Sequence, residues 1–402
     1  MRDPGPAPWP AGAGLLAGWA ADVVLGDPRR AHPVALFGQA MTALEGRIWR
    51  DARGPGVAYA LVGVALGAGP ILVLDRRWRD APIRRAALTA SVTWAALGGR
   101  SLATAGEELG RRVAEGDLDG ARALAPTLVG RDPATLDGAG LARAGLESVA
   151  ENTSDAIVAP FAWGALLGAP GVALHRALNT MDAMVGHRSP RYARFGWASA
   201  RADDLAGWPA ARAGAALTVL AATWPGTRGA GGAGPDGRRA APGNADEQAA
   251  PGAGPDGQRA APGKADAQAA GVCPDGGRAD AEPADDPAAG WPRPDGGRAE
   301  ASPNGASATG GPRSALRAWW RDGAAHPSPN AGRVEAAFAG ALGVRLGGRN
   351  VYGGRVEERP VLHGEGRAPG PADLRRAADL SRRVGALAAV AAAGAAVLLR
   401  RR

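Results

Sequence analysis

Residues 146–204 read LESVAENTSDAIVAPFAWGALLGAPGVALHRALNTMDAMVGHRSPRYARFGWASARADD. Two polar blocks flank an uncharged run from Ile157 to Leu174, which Pro160, Gly164, Gly168, Pro170 and Gly171 interrupt. Interrupted apolar helices at membrane depth line cavities or re-enter, because freed backbone groups need partners there. The blocks set Glu147, Glu151, Asn152, Asp155, Asn179, Asp182, His187, Arg188, Asp203 and Asp204 beside that run. Ionisable groups are costly in such surroundings, which makes these residues functional candidates.

Working outward, apolar runs recur on both sides. Residues 9–25 form a short one that Asp22 interrupts and Gly26 and Pro28 end. Val34 to Trp49 has apolar residues at helical spacing, as expected of an amphipathic helix along an interface. Gly56 to Leu74 contains no charge and matches the bilayer core at helical rise. Ile83 to Leu97, Leu205 to Trp224 and residues 384–399 are further apolar runs, the last ending in arginines. Residues 100–145 read as soluble amphipathic helices, and Ser328 or Asn330 is placed to cap a helix over Val334 to Leu342. The expected fold class is therefore all-α: a multi-pass integral membrane helical protein with amphipathic helices. Ala, Leu, Val and Gly dominate the apolar content, which suits close helix packing, and strands are not expected.

From residue 225 to 312 the composition shifts to Gly, Ala, Pro, Asp and Arg, with Pro-Asp-Gly starting at 235, 255, 274 and 294. The unit lacks the repeating apolar face of a solenoid and is read as a disordered insertion. The chain thus divides into a membrane and catalytic region in two parts, 1–224 and 313–402, around the insertion at 225–312.

The net charge of +8 comes almost wholly from arginine, since Lys264 is the lone lysine. Most of these arginines are read as flanks of membrane helices on the cytoplasmic side. No nucleic-acid motif is present. One cysteine, Cys273, excludes an intramolecular disulfide and a cysteine-based zinc site. The N-terminus lacks the layout of a signal peptide, so the first apolar run is expected to be retained. No phosphate-loop lysine motif, nucleophile elbow, zincin motif or dinucleotide fingerprint is present.

Carboxylates, amides, histidines and arginines remain. Glu147, Glu151 and Asn152, or Glu151 and Asp155, share a helical face. Oxygen ligands so spaced could hold Mg²⁺ together with substrate phosphates, or they could be a capped, solvated helix end; spacing leaves both open. His187 follows Gly186 in a turn and is a candidate base or phosphate ligand. Asp203 and Asp204 beside Arg201 are open to two readings, an ion pair closing a helix or a metal site. His32 and His326, each followed by proline, present imidazoles from rigid turns.

Together, GDPRRAHPV at 26–34, ESVAENTSDAIVAPFAW at 147–163, RALNTMDAMVGHRSPRYARFGWASARADD at 176–204, HPSPNAGRVEAAFAGALGVRLGG at 326–348 and VEERP at 356–360 resemble the CobD/CbiB family of cobalamin biosynthesis, the adenosylcobinamide-phosphate synthases. The resemblance covers about residues 12–224 and 314–399. It departs at His187, where tyrosine is common, and at Arg333-Val334, where Trp-Pro is usual.

The resemblance implies a membrane enzyme that uses ATP and Mg²⁺ to join adenosylcobyric acid to aminopropanol phosphate or a related amino alcohol phosphate. Its implied partners are those substrates, the membrane and other late cobalamin-pathway proteins. On this reading the catalytic candidates are Glu147, Glu151, Asn152, Asp182, His187 and His326. Substrate and phosphate binding falls to His32, Asn179, Arg188, Arg191, Arg201, Ser328 and Asn330, and metal binding to Asp27, Asp155, Asp203 and Asp204. The competing readings are a corrinoid transporter, a non-catalytic membrane sensor and a soluble helical enzyme. If all six apolar runs span, the motifs at 26, 147 and 326 share one face while 179–204 falls on the other. A single cytoplasmic site needs them together, so 157–174 and 205–224 are expected to be a broken, partly embedded pair.

Overall fold

The computed structural model describes residues 9–28, 32–130, 133–187, 189–224, 310–352 and 355–399. The repeat-bearing stretch falls almost wholly outside the described residues.

Helices dominate. The first are α1 (Trp9–Leu25), α2 (Pro33–Ile48), α3 (Arg53–Arg77), α4 (Pro82–Ala96), α5 (Gly99–Ala114) and α6 (Leu118–Leu124). The next are α7 (Gly138–Thr153), α8 (Ala159–Leu167), α9 (Ala169–Met181) and α10 (Trp197–Ala221). Beyond the repeats come α11 (Pro312–Asp322), α12 (Ala331–Leu342) and α13 (Pro371–Leu399). Strands were not expected from the sequence, yet β1 (Leu346–Tyr352) and β2 (Arg355–Leu362) pair as an antiparallel hairpin. Their glycine- and arginine-rich sequences hide the alternation that marks strands.

The core is built from small residues. Alanines of α7, α12 and α13 pack with Leu141, Leu146, Phe161, Phe338 and Leu374, all essentially buried. Gly14 and Gly18 of α1 lie against Thr89 and Thr93 of α4, allowing the close approach that small residues permit. Arg100 donates to the carbonyls of Val23 and Val24, satisfying the last acceptors of α1. A smaller cluster of Met41, Tyr59, Met181, Val185 and Phe195 joins α2 and α3 to the segment between α9 and α10.

Among the described residues two helices, α3 and α13, are long and apolar enough to cross a membrane. Leu61, Leu66 and Val73 of α3 lie on its exposed surface.

The interrupted run of 157–174 resolves into a helical hairpin. Residues Ser154–Val158 form a π-helical turn that joins α7 to α8 without a break. Gly168, at φ 71° and ψ −149°, then reverses the chain into α9. Only glycine enters that backbone region without strain. A second π-helical turn, Asp182–Gly186, extends α9. Asp155 lies 13 residues before the pivot and Asp182 lies 14 after it, so the hairpin brings the two π turns back to one level. The expected second broken helix is absent: α10 is continuous from Trp197 to Ala221 despite Pro209.

Candidate active site

Both π turns carry an aspartate, and π turns widen a helix by one residue, re-aiming side chains at functional positions. Asp155 and Asp182 face the first turns of α10, which supply Arg201, Asp203 and Asp204. The fourth wall is the loop before α12. These elements enclose a polar cavity of about 490 Å³, lined by Glu147, Ser148, Glu151, Asn152, Asp155, Asn179, Asp182, His187, Tyr192, Trp197, Arg201, Asp203, Asp204, His326, Ser328, Asn330, Glu335 and Arg359 among others.

Burial and mutual repulsion dominate its electrostatics. The Asp155 carboxyl is pushed up by burial, then by the charges of Glu151 and Asp182. Asp203 is pushed well up by burial and by Asp182, Asp155 and Asp204, while an Asn179 hydrogen bond works the other way. Oδ1 of Asp203 is buried without a hydrogen-bond partner. Carboxylates gathered in this way hold protons or take up a cation.

Local hydrogen bonds set several side chains. Glu147 accepts the Gly347 N–H at 2.8 Å, so one of its oxygens anchors the β-hairpin. Asn152 donates to the carbonyl and hydroxyl of Ser148 at 3.0 and 3.2 Å, which leaves its carbonyl oxygen to meet a ligand. The Ser328 hydroxyl accepts the Ala331 N–H at 3.1 Å, opening α12 as the sequence suggested. Asn330 instead reaches α10, donating to the Asp204 carbonyl at 2.9 Å.

The two His-Pro turns share one device. His326 Nδ1 accepts the Ser328 N–H at 3.1 Å, and His32 Nδ1 accepts the Val34 N–H at 3.2 Å. An accepting Nδ1 puts the proton of the neutral ring on Nε2. His187 lies edge-on to the Tyr192 ring, centroids 4.8 Å apart.

Most of the expected site thus converges: Glu147, Glu151, Asn152, Asp155, Asn179, Asp182, His187, Arg201, Asp203, Asp204, His326, Ser328 and Asn330 all line the cavity. Arg191 does not. Its guanidinium pairs with Glu45 at 3.0 Å and stacks on Trp49 at 4.4 Å, because α2 offers a carboxylate, and the residue that ends it an indole, on the near side of the loop. Asp27 and His32 lie off the cavity. Burial and then the Arg176 charge push His32 down to about 4, and burial pushes Asp27 up against the Ser101 hydroxyl and Arg176. Arg176 also acts on Asp155, linking this pair to the cavity wall. Arg188 is outside the described residues. The proposed metal set does not gather as one: among the described residues no three or more His, Cys, Asp or Glu groups are placed to hold a metal ion by themselves.

Sequence reasoning missed Glu335, Arg359, Tyr192 and Ser148. Glu335 had a signal, being the single carboxylate in a helix otherwise rich in alanine. Tyr192 had none: its hydroxyl donates to Glu45 at 2.8 Å across 147 residues of chain.

Fold and cavity together define a class, a small-residue helical bundle that encloses a carboxylate-rich chamber. The family model described as CobD/Cbib protein matches residues 15–261 and 295–381. The chain belongs to this CobD/Cbib family. It is 43% identical over 383 residues to the cobalamin biosynthesis protein CobD of Mycobacterium tuberculosis, covering 94% of each chain. A Rhodobacter capsulatus protein of the same name is 33% identical over 90% of each chain. That of Sinorhizobium fredii is 33% identical, covering 88% of this chain and 86% of its own. Membership places the chain in cobalamin biosynthesis. No solved structure matches it.

Proposed function

We propose that the protein forms an amide bond at the expense of ATP, joining adenosylcobyric acid at its remaining propionate to aminopropanol phosphate or a related amino alcohol phosphate. One observation carries this reading: motifs from 147–155, 179–204 and 326–335 converge on a single chamber large enough for phosphate groups and lined with acids, imidazoles and arginines.

A carboxylate is a poor acyl donor until its oxygen is converted into a leaving group. Transfer of the terminal phosphoryl group of ATP to the propionate gives an acyl phosphate and ADP. The amine nitrogen then attacks the carbonyl carbon, the bond to the phosphate oxygen breaks, and the nitrogen loses a proton as inorganic phosphate leaves. On this reading His187, which lines the chamber, takes that proton, and Arg201, also in its lining, neutralises phosphate charge. The orphaned, buried Asp203 oxygen beside Asp155 fits Mg²⁺, which uses one or two carboxylates and otherwise keeps water and phosphate oxygens. Asp155 and Asp203 would hold the ion between them, which when bound neutralises the polyphosphate. Glu151 and Asp182 complete the negative wall behind it.

Product analysis with adenosylcobyric acid, amino alcohol phosphate and ATP-Mg²⁺ tests the reading. The expected result is adenosylcobinamide phosphate from the wild type and a trace from Glu151→Ala or Asp182→Ala. No product from folded wild-type protein would defeat it.

The same reading holds the protein in the cell membrane as a multi-pass chain, with the chamber open to the cytoplasm. The hairpin at Gly168 supports this, since a re-entrant pair returns 179–204 to the face of 147–155. Cysteines introduced at Ser189 and Ser328 should be labelled from the same side of the membrane; labelling from opposite sides would overturn the topology.

A further inference from the structure

Seven carboxylates make the cavity hostile to an anionic substrate: Glu147, Glu151, Asp155, Asp182, Asp203, Asp204 and Glu335. Among the described residues two arginines line it against them, and one of these, Arg359, arrives on the β-hairpin. In β2 its neighbour Glu358 is exposed while Arg359 is half-buried and lines the cavity. Across the ladder Arg359 pairs with Gly348.

The strand segment around Gly348 is gripped by α7. Arg143 donates to the carbonyls of Gly347 and Arg349 at 2.9 and 2.8 Å, and Glu147 accepts the Gly347 N–H at 2.8 Å. Arg143 and Glu147 stand one turn apart on the helix that also carries Glu151. The backbone of Arg359 is therefore fixed relative to the acidic wall it faces. A planar guanidinium on a fixed strand is suited to a carboxylate or phosphate, which it meets with two parallel hydrogen bonds.

We infer that Arg359 is a second anion-binding residue of the cavity beside Arg201, receiving an oxyanion group of a substrate, and that Arg143 is the residue that positions it. The inference rests on the amide-forming reading for the identity of the substrates, though not for the anion binding itself. The oxyanion could belong to the amino alcohol phosphate, to ATP or to the propionate. All three present the same chemistry to the guanidinium.

The test uses full-length protein in detergent, with R359A, R359K and R143A. Inorganic phosphate should raise the melting temperature of the wild type, and R359A should lose most of that shift, with R359K retaining more of it than R359A. R143A should weaken the shift although Arg359 is still present. Steady-state kinetics of R359A should show KM raised about 10- to 100-fold for one of the three substrates, with kcat changed far less, and the substrate affected identifies the source of the oxyanion. Circular dichroism of each variant before titration excludes misfolding as the cause. A phosphate shift unchanged in R359A would overturn the inference, as would a fall in kcat with all three KM values intact. If the wild type makes no amide product yet R359A loses most of the phosphate shift, the proposed reaction fails and the anion site stands.

Discussion

Asp182→Asn should lower product formation by about 10³-fold while leaving the protein folded, and should flatten the dependence of stability on pH. Asp182 stands on a π turn facing the two carboxyls that burial and its own charge hold above the ordinary carboxylate range. Removing one charge from a preorganised site costs two to three orders of magnitude when that charge acts on the reacting groups. The sign of the stability effect runs the other way. Asp155 and Asp203 keep protons in the folded chain that the unfolded chain loses above about pH 4. Their contribution to the stability of the metal-free protein is thus fully present below that pH and is lost as pH rises through the raised values of the folded state. With Asp182 neutral, those values drop toward normal and the fall shrinks. Mg²⁺ competes with the same protons, so its stabilisation of the wild type should grow with pH. Thermal melts at several pH values with and without Mg²⁺ check both statements, and a metal-free wild type that gains stability on going from pH 5 to pH 8 would contradict the account.

Two glycine substitutions ten residues apart should fail in different ways. A Cβ on Gly186 would lie 1.8 Å from Asp182 Oδ1, an overlap relieved only by swinging the carboxylate away. Gly186→Ala should therefore retain its fold and lose activity about 10²-fold, a catalytic defect caused by one displaced side chain. A Cβ on Gly196 would lie 1.7 Å from the Val185 carbonyl oxygen, which is backbone and cannot rotate aside. Gly196→Ala should destabilise the protein by about 3 kcal/mol or more, and its activity should fall in proportion to the folded fraction. Melting curves alongside kcat separate the two; equal losses of stability would show that the second π turn is not held as described.

Much of this arrangement can be read from residue order. Proline and glycine inside an uncharged run predict a break, which among the five such residues falls only at Gly168, and the His-Pro pairs predict turns that orient an imidazole. Clustered acids beside apolar segments point to the chamber. Other parts are invisible locally. The β-hairpin is written in glycine and arginine, and its register depends on a grip by Arg143 and Glu147 from some 200 residues away. Arg191 reads as a phosphate ligand until α2 presents Glu45 to it. Glu335, the single carboxylate of its helix, is brought into the cavity lining by tertiary packing. Whether a polar residue serves the site or the scaffold is decided by neighbours distant in sequence, which spacing does not encode.

The chamber's walls come from both sides of the repeat-bearing stretch. Asp155, Asp182 and Asp203 precede it, while His326, Ser328, Asn330, Glu335 and Arg359 follow it. During synthesis the acids are made first and wait for their cover, so neither half alone encloses a reaction vessel. A chain cut between them is a two-piece lock, silent as separate parts and competent only when α12 and the hairpin close onto α7 and α10.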